Sequence, residues 1–360
     1  MRQNVARTIK SVISGTALMA LSIVGCSDTS NPLASQETAA PFAKHANQYS
    51  YQSKSNPART EVYDGSALIA TFTNNSYTVT LSGPSRTFTE TNTVGGTAYT
   101  ATVAHTTWVR TLPAAFNGAV DTTWLNDALA ANTAGTADVL AIAMQYVDGA
   151  AALYQGSQKI ADDADYGPLQ DDGTRQEGSD FNDYLGLDWN YGATTDAAES
   201  NQINSLDCSG FMRMIWGYRH HGTGAAGVVD TLPMSLDGTA NFATLPRKSF
   251  QICDSAMGVT IISNSGGMVT NYAPLNIGDL VFFDADTTAS DGARIDHVGM
   301  YMGLDNAGKR RFISSRKSIN GPTMGDYKGS SLLDKFVKKS GTNIYEPVLY
   351  TKAFRAARRL

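Results

Sequence analysis

Cys208 is the residue whose setting most favours covalent chemistry. It lies in Asn204-Ser205-Leu206-Asp207-Cys208-Ser209-Gly210-Phe211, between small and polar residues, and a helical pattern starts at once behind it. Phe211, Ile215 and Tyr218 fall at spacings of four and three, which marks one helix face. Gly222, after His220 and His221, is a stop signal for that helix. The pattern therefore predicts Cys208 at a helix N-terminus. There the unpaired backbone N–H groups and the helix dipole favour negative charge, so a lowered thiol pKa and a nucleophilic sulfur are expected. A buried cysteine that merely packs fits the same local pattern.

The chain that must position this residue has 360 residues, 42% of them hydrophobic and 17% charged. That is enough for a packed core, and it excludes wholesale disorder. The net charge of −5 argues against a nucleic-acid binder, which would show a basic face. Three cysteines, Cys26, Cys208 and Cys253, are too few for a disulfide framework. A Cys208–Cys253 bridge would disable Cys208 and is not expected.

Arg2, Arg7 and Lys10 precede an apolar stretch from Ser11 to Val24 that is too short and too broken for a membrane span. It closes with Leu21-Ser22-Ile23-Val24-Gly25-Cys26, which resembles the lipobox of bacterial lipoproteins. The resemblance implies a signal peptide over 1–25, lipidation of Cys26 and an extracytoplasmic protein held to a membrane of the cell envelope by its acyl chains. An ordinary secretory signal with a chance cysteine is the alternative. Residues 26–59 are rich in Ser, Ala, Asn and Thr and read as a flexible tether that contains His45.

Residues 60–115 read as a small β-rich region, a binding or spacer module. Ala67 to Leu81 gives two strands around Asn74-Asn75, and Thr97 to Arg110 gives a further alternating run that contains His105. Helical spacing begins near Asp121 and continues through Tyr146. The acidic, aromatic stretch from Asp165 to Gly192 reads as a surface loop. Pro246 fits the first turn of a short helix. Then come an apolar strand over Gly278–Asp284, a strand over Ile295–Gly303, another over Arg311–Ser315 and a last one over 348–360. Helices followed by antiparallel strands make the fold class α+β. Asp284, Asp286 and Asp291 lack a regular calcium-ligand spacing, and no zinc-spaced cluster is visible, so neither metal nor cofactor is expected.

Five of these pieces, in order, resemble the NlpC/P60 family of bacterial cell-wall cysteine peptidases. Asp207-Cys208-Ser209-Gly210-Phe211 resembles its Asp-Cys-Ser-Gly-aliphatic motif, and Leu245-Pro246-Arg247 with Gln251 resembles its Leu-Pro-Arg and Gln element. Gly278-Asp279-Leu280-Val281-Phe282-Phe283 resembles its Gly-Asp-Leu-Val-Phe-Phe strand, and His297-Val298-Gly299-Met300-Tyr301 its His-Val-Gly-Ile-Tyr strand. Gly186-Leu187-Asp188-Trp189-Asn190-Tyr191-Gly192 resembles its entry motif more weakly. The match covers residues 180–316 and leaves the β-rich region outside.

The resemblance implies a papain-like catalytic domain with N-terminal helices over 116–360, in which the cysteine opens a helix packed on a small antiparallel sheet. It implies that Cys208 is the nucleophile and His297 the general base. The family's third residue, a His, Asn or Gln that orients the histidine, aligns with Ser314, whose side chain is shorter. Asp296 is an alternative orienter, although strand alternation points it to the opposite face from His297. Asp207 and Trp189 align with the residues that hold a free substrate amine, and tryptophan cannot accept a hydrogen bond as tyrosine can. Ser209 is placed beside the substrate as well, and Arg247 and Ser249 could meet a carboxylate. The implied activity is hydrolysis of the γ-D-glutamyl–diamino acid amide of peptidoglycan stem peptides by a monomer. An amidase or acyl-transfer enzyme on the same scaffold, or a non-catalytic wall-binding lipoprotein, are the alternatives. Insertions at 222–244 and 254–276 account for the 89 residues between Cys208 and His297 and stand where they could shape the cleft.

Overall fold

The computed structural model describes residues 49–220, 232–238, 242–286, 292 and 294–360. The stretch read as an export signal, with Cys26, lies outside the described residues, as do His45, His221 and Asp291. Among the described residues, no helix is long and apolar enough to cross a membrane.

Strands β1 (Tyr49–Lys54), β2 (Arg59–Asp64), β3 (Ala67–Thr73), β4 (Thr78–Val94) and β5 (Thr97–Thr111) form an antiparallel sheet in chain order. The two strands expected around Asn74-Asn75 are β3 and the start of β4, and Asn75 supplies the turn with a φ of 63°. β1 occupies part of the stretch read as tether. Apart from Tyr49 and Tyr51 its side chains are polar, and most are exposed, so the apolar pattern is too short to mark it; main-chain pairing with β2 makes it a strand. Phe72, Val79, Leu81 and Trp108 of this sheet pack on Trp124, Leu125 and Leu129 of α1 (Thr122–Thr133), which Asp121 caps.

The chain continues through α2 (Val139–Ala143), a hairpin of β6 (Leu153–Gln155) and β7 (Gln158–Ala161), and α3 (Phe181–Leu185). A second hairpin, β8 (Trp189–Asn190) and β9 (Thr195–Asp196), precedes α4 (Cys208–Trp216) and α5 (Ser249–Ser255). Then come β10 (Val259–Ile262), β11 (Leu280–Phe283), β12 (His297–Leu304), β13 (Arg310–Arg316) and β14 (Gly321–Thr323). A third hairpin, β15 (Phe336–Lys338) and β16 (Tyr345–Pro347), leads to α6 (Leu349–Ala353) and β17 (Phe354–Arg359). Strands β10-β17-β11-β12-β13-β14 form a six-stranded antiparallel sheet. The fold is α+β, as its element order predicts.

The continuous apolar run of β11 has a simple cause. Leu280 and Phe282 face the core shared with α4, while Val281 and Phe283 face a second core with Phe312 and Phe354. Both faces of the strand are buried, so no alternation is needed.

Several expectations are corrected. Helix α4 ends at Trp216, with Gly217 as its cap, short of Gly222. Helix α5 begins at Ser249, so Pro246 precedes it and does not occupy its first turn. The first part of the expected C-terminal strand is helix α6. The stretch read as a surface loop contains α3, whose Phe181 and Tyr184 are buried in the main core. The β-rich region shares its core with the rest of the described chain. Phe88, Ala101, Val103 and Val109 belong to the same core as Phe211, Ile215 and Met300, and Ser76 and Thr78 bond the carbonyl of Leu360.

Candidate functional site

Helix α4 packs on β12, and the two meet at the helix N-terminus and the strand's first residues. Cys208 is therefore at a helix start, as its pattern predicts. Gly210 permits the close approach there: a Cβ at this position would lie 2.2 Å from the carbonyl oxygen of Ser179. The Cys208 sulfur lies 3.9 Å from the carbonyl oxygen of Asp296 and takes a hydrogen bond from the N–H of Val298. It thus touches the main chain on both sides of His297.

His297 is oriented from β13. Its Nε2 lies 3.1 Å from Ser314 Oγ, the position the resemblance assigns to the third residue. With Nε2 engaged, Nδ1 is the ring nitrogen left for proton exchange. Gly299 makes this pairing possible, because a Cβ there would lie 2.7 Å from the Ile313 carbonyl oxygen and 3.1 Å from Ser314 Cβ. Phe283 and Tyr350 pack against the imidazole, with ring centroids 5.8 and 5.3 Å away. Asp296 is not the orienter: its carboxylate accepts from the N–H groups of Ala285 and Asp286.

The electrostatics overturn the expected thiolate. Burial pushes the Cys208 thiol well above its usual range, and the Asp207 carboxylate adds to the rise against the Val298 hydrogen bond and the more distant Arg247. Burial also pushes His297 down to about 3, helped by the Arg316 cation and opposed by Asp207. The pair is consequently a neutral thiol and a neutral imidazole. Cys208 and Cys253 are both buried and both free, and burial pushes Cys253 up to about 12.

Around Cys208 the polar side chains are largely engaged with one another. Asp207 caps α4 by accepting from Gly210 N–H at 2.7 Å, and it also accepts from Gly178 N–H and the Ser209 hydroxyl. Arg247 grips Asp207 at 2.8 Å and 3.2 Å, donates to Ser209 Oγ and Gly178 O, and lies 3.5 Å from Asp180. Burial alone would raise the Asp207 pKa, but Arg247 and the hydrogen bonds hold it below the ordinary value. The substrate-carboxylate role considered for Arg247 is thereby corrected: its guanidinium is already committed to Asp207. Asp207, considered for a substrate amine, is committed in return. Ser249 is a buried first residue of α5. Trp189 is half-buried against Phe181 and Tyr218, in an aromatic cluster that makes its position a packing one.

Residues that the motifs did not single out complete the surroundings. Asp180 and Arg213, both fully buried, form an ion pair, and Arg213 also bonds the Tyr191 hydroxyl, two residues past Trp189. Tyr166, Tyr350 and Glu177 are near enough to interact electrostatically with Cys208. An acidic residue just before a buried helix and an arginine on the buried face of the cysteine helix were the available signals for the Asp180–Arg213 pair. Elsewhere, Asp284, Asp286 and Asp296 bring carboxylate oxygens within 4.8 Å of one another, and Arg355 pairs with Asp284.

A scan of protein-family models, a search of curated proteins and a search of solved structures each found no match to this chain.

Proposed function

We propose that the protein is a papain-like cysteine peptidase that cleaves the γ-D-glutamyl–diamino acid amide of peptidoglycan stem peptides. The observation that carries the reading is the placement of the Cys208 sulfur against the main chain on both sides of His297, whose Nε2 is held by Ser314. The substrate class rests on the NlpC/P60 resemblance, and membrane attachment on the lipobox resemblance at Cys26. In this reading His297 Nδ1 takes the thiol proton as the sulfur attacks the amide carbonyl. The N–H groups of Cys208 and Ser209 at the start of α4 receive the oxyanion, since Gly210 N–H is already given to Asp207. The imidazolium then protonates the leaving amine, and water releases the acyl group. Ser314 keeps the ring oriented throughout.

One observation favours a second reading, a wall-binding lipoprotein without turnover: Cys208 and His297 are only 6% and 8% exposed. Incubation of purified muropeptides with the full-length protein and with Cys208→Ala decides between them. The peptidase gives products split at the γ-D-glutamyl bond by mass, and Cys208→Ala gives none. Products split at the sugar–peptide amide indicate the amidase alternative. Intact muropeptides with both proteins, under conditions in which they bind, sink the catalytic reading.

A further inference from the structure

Among the described residues, the buried Arg213, Arg311 and Arg359 pair with Asp180, Asp305 and Asp279, and the half-buried Arg247 and Arg86 pair with Asp207 and Asp138. Of the other buried arginines, Arg219 bonds the Tyr146 hydroxyl, while Arg110, Arg316 and Arg358 have no carboxylate within ion-pair distance. In Arg110 and Arg358 the Nε donates to Asn132 and to the Cys253 carbonyl. Arg316 is different. Its terminal nitrogens donate to the carbonyls of Gly329 and Gly325, its buried Nε has no hydrogen-bond partner, and the carboxylates of Glu90 and Asp326 act on it only from beyond ion-pair distance. Such a cation is costly to bury, and its retention calls for a reason.

Its position supplies one. Strand alternation puts Phe312, Ser314 and Arg316 on one face of β13, the face on which Ser314 meets His297. Tyr350 of α6 lies close to both the cation and the imidazole. The Arg316 guanidinium carbon lies 5.6 Å from the Tyr350 ring centroid, that centroid lies 5.3 Å from the His297 ring, and the phenol and guanidinium share a hydrogen bond. We propose that Arg316, beside this phenol, is a positioning residue that adds to burial in holding His297 as a neutral imidazole. The thiol proton then leaves Cys208 only as the sulfur–carbon bond forms. The proposal rests on Cys208 and His297 being the reacting pair.

The proton and electron balance is closed. The sulfur lone pair forms the S–C bond while the carbonyl π electrons move to the oxygen, and the thiol proton passes to Nδ1. That proton leaves with the amine when the C–N bond breaks. The groups placed against His297 are Ser314 from β13, Tyr350 from α6 and Phe283 from β11, and the charges of Arg316 on β13 and of Asp207 at the cap of α4 act on it. The Asp296 carboxylate is turned to the main chain of Ala285 and Asp286. Of the charged groups, Arg316 opposes the imidazolium and Asp207 favours it.

The test is an NMR titration of the His297 ring in the full chain, assigned with His297→Asn, in wild type, Arg316→Gln and Arg316→Lys. The wild-type ring is expected to stay neutral through pH 5. In Arg316→Gln its midpoint should rise by roughly one pH unit or more, since losing one like charge nearby favours the charged form. Arg316→Lys should restore the wild-type curve. Where muropeptides are hydrolysed, the acid limb of the rate should move up with the Arg316→Gln midpoint. An unchanged His297 curve in folded Arg316→Gln overturns the proposal. If that variant does not fold, a wild-type His297 that titrates near its ordinary value overturns it instead. Absence of hydrolysis with the predicted NMR shifts removes the substrate reading and leaves the role of Arg316 standing.

Discussion

The two flanks of the Cys208–His297 pair are built on opposite principles. On the cysteine side, charge is matched: Asp207 and Asp180 are met by Arg247 and Arg213, and main-chain N–H groups take up further oxygens. On the histidine side, Ser314 and Tyr350 are neutral, and the cation Arg316, among the described residues, meets Glu90 and Asp326 only from beyond ion-pair distance. A matched network fixes geometry, because each partner leaves the other uncompensated if it moves. An unmatched charge sets a field, because no counter-ion cancels it at close range. The cysteine flank therefore reads as the part that places the helix terminus, and the histidine flank as the part that sets protonation.

The strongest way to break this contrast is Asp180→Leu. It leaves Arg213 fully buried without its carboxylate, and a loss of about 3–5 kcal/mol is expected, read as a fall in thermal midpoint. A loss below about 1 kcal/mol, the size of a surface pair, would dissolve the distinction. A smaller effect is expected at Gly210→Ala. The new methyl meets the Ser179 carbonyl, so the start of α4 must shift at a cost of about 1–3 kcal/mol, and turnover should fall because Cys208 moves with it. Unchanged stability and rate in this variant would mean that the helix terminus is not closely held.

The histidine flank is sharpened by pH. In the unfolded chain His297 takes up a proton near its ordinary value, whereas the folded protein does so only near 3. Between these values unfolding binds a proton, so stability falls as pH drops through the window. The lowered pKa of Asp207 acts with the same sign in a more acidic range, from the ordinary carboxylate value downward. Thermal midpoints of wild type and His297→Asn, compared from pH 7 to pH 4, should therefore converge on acidification as the wild type loses this contribution. Parallel curves would show that His297 does not titrate differently in the two states.

Much of the site's framework was legible in the chain. Cys208 was placed at a helix start by the spacing of Phe211 and Ile215, and Asp296 was turned away from the imidazole by strand alternation. Ser314 was reached only through the resemblance, and it lies beside His297 Nε2. Properties that depend on solvent are not legible in the chain. Asp207 and Arg247 looked available to a substrate, yet they fill each other's hydrogen bonds. The cysteine looked like a thiolate from its helix terminus, yet burial beside Asp207 reverses the shift. β1 was missed because polar residues can form an edge strand when a neighbour supplies the main-chain partners.

The sequence by itself determined which residues start and stop elements, because capping, alternation and helical spacing are local properties. Only the tertiary structure decided which charges would be paired and how far water is kept from them. Protonation follows from that packing, and residues such as Asp180, Arg213 and Arg316 join the site through contacts between segments far apart in the chain.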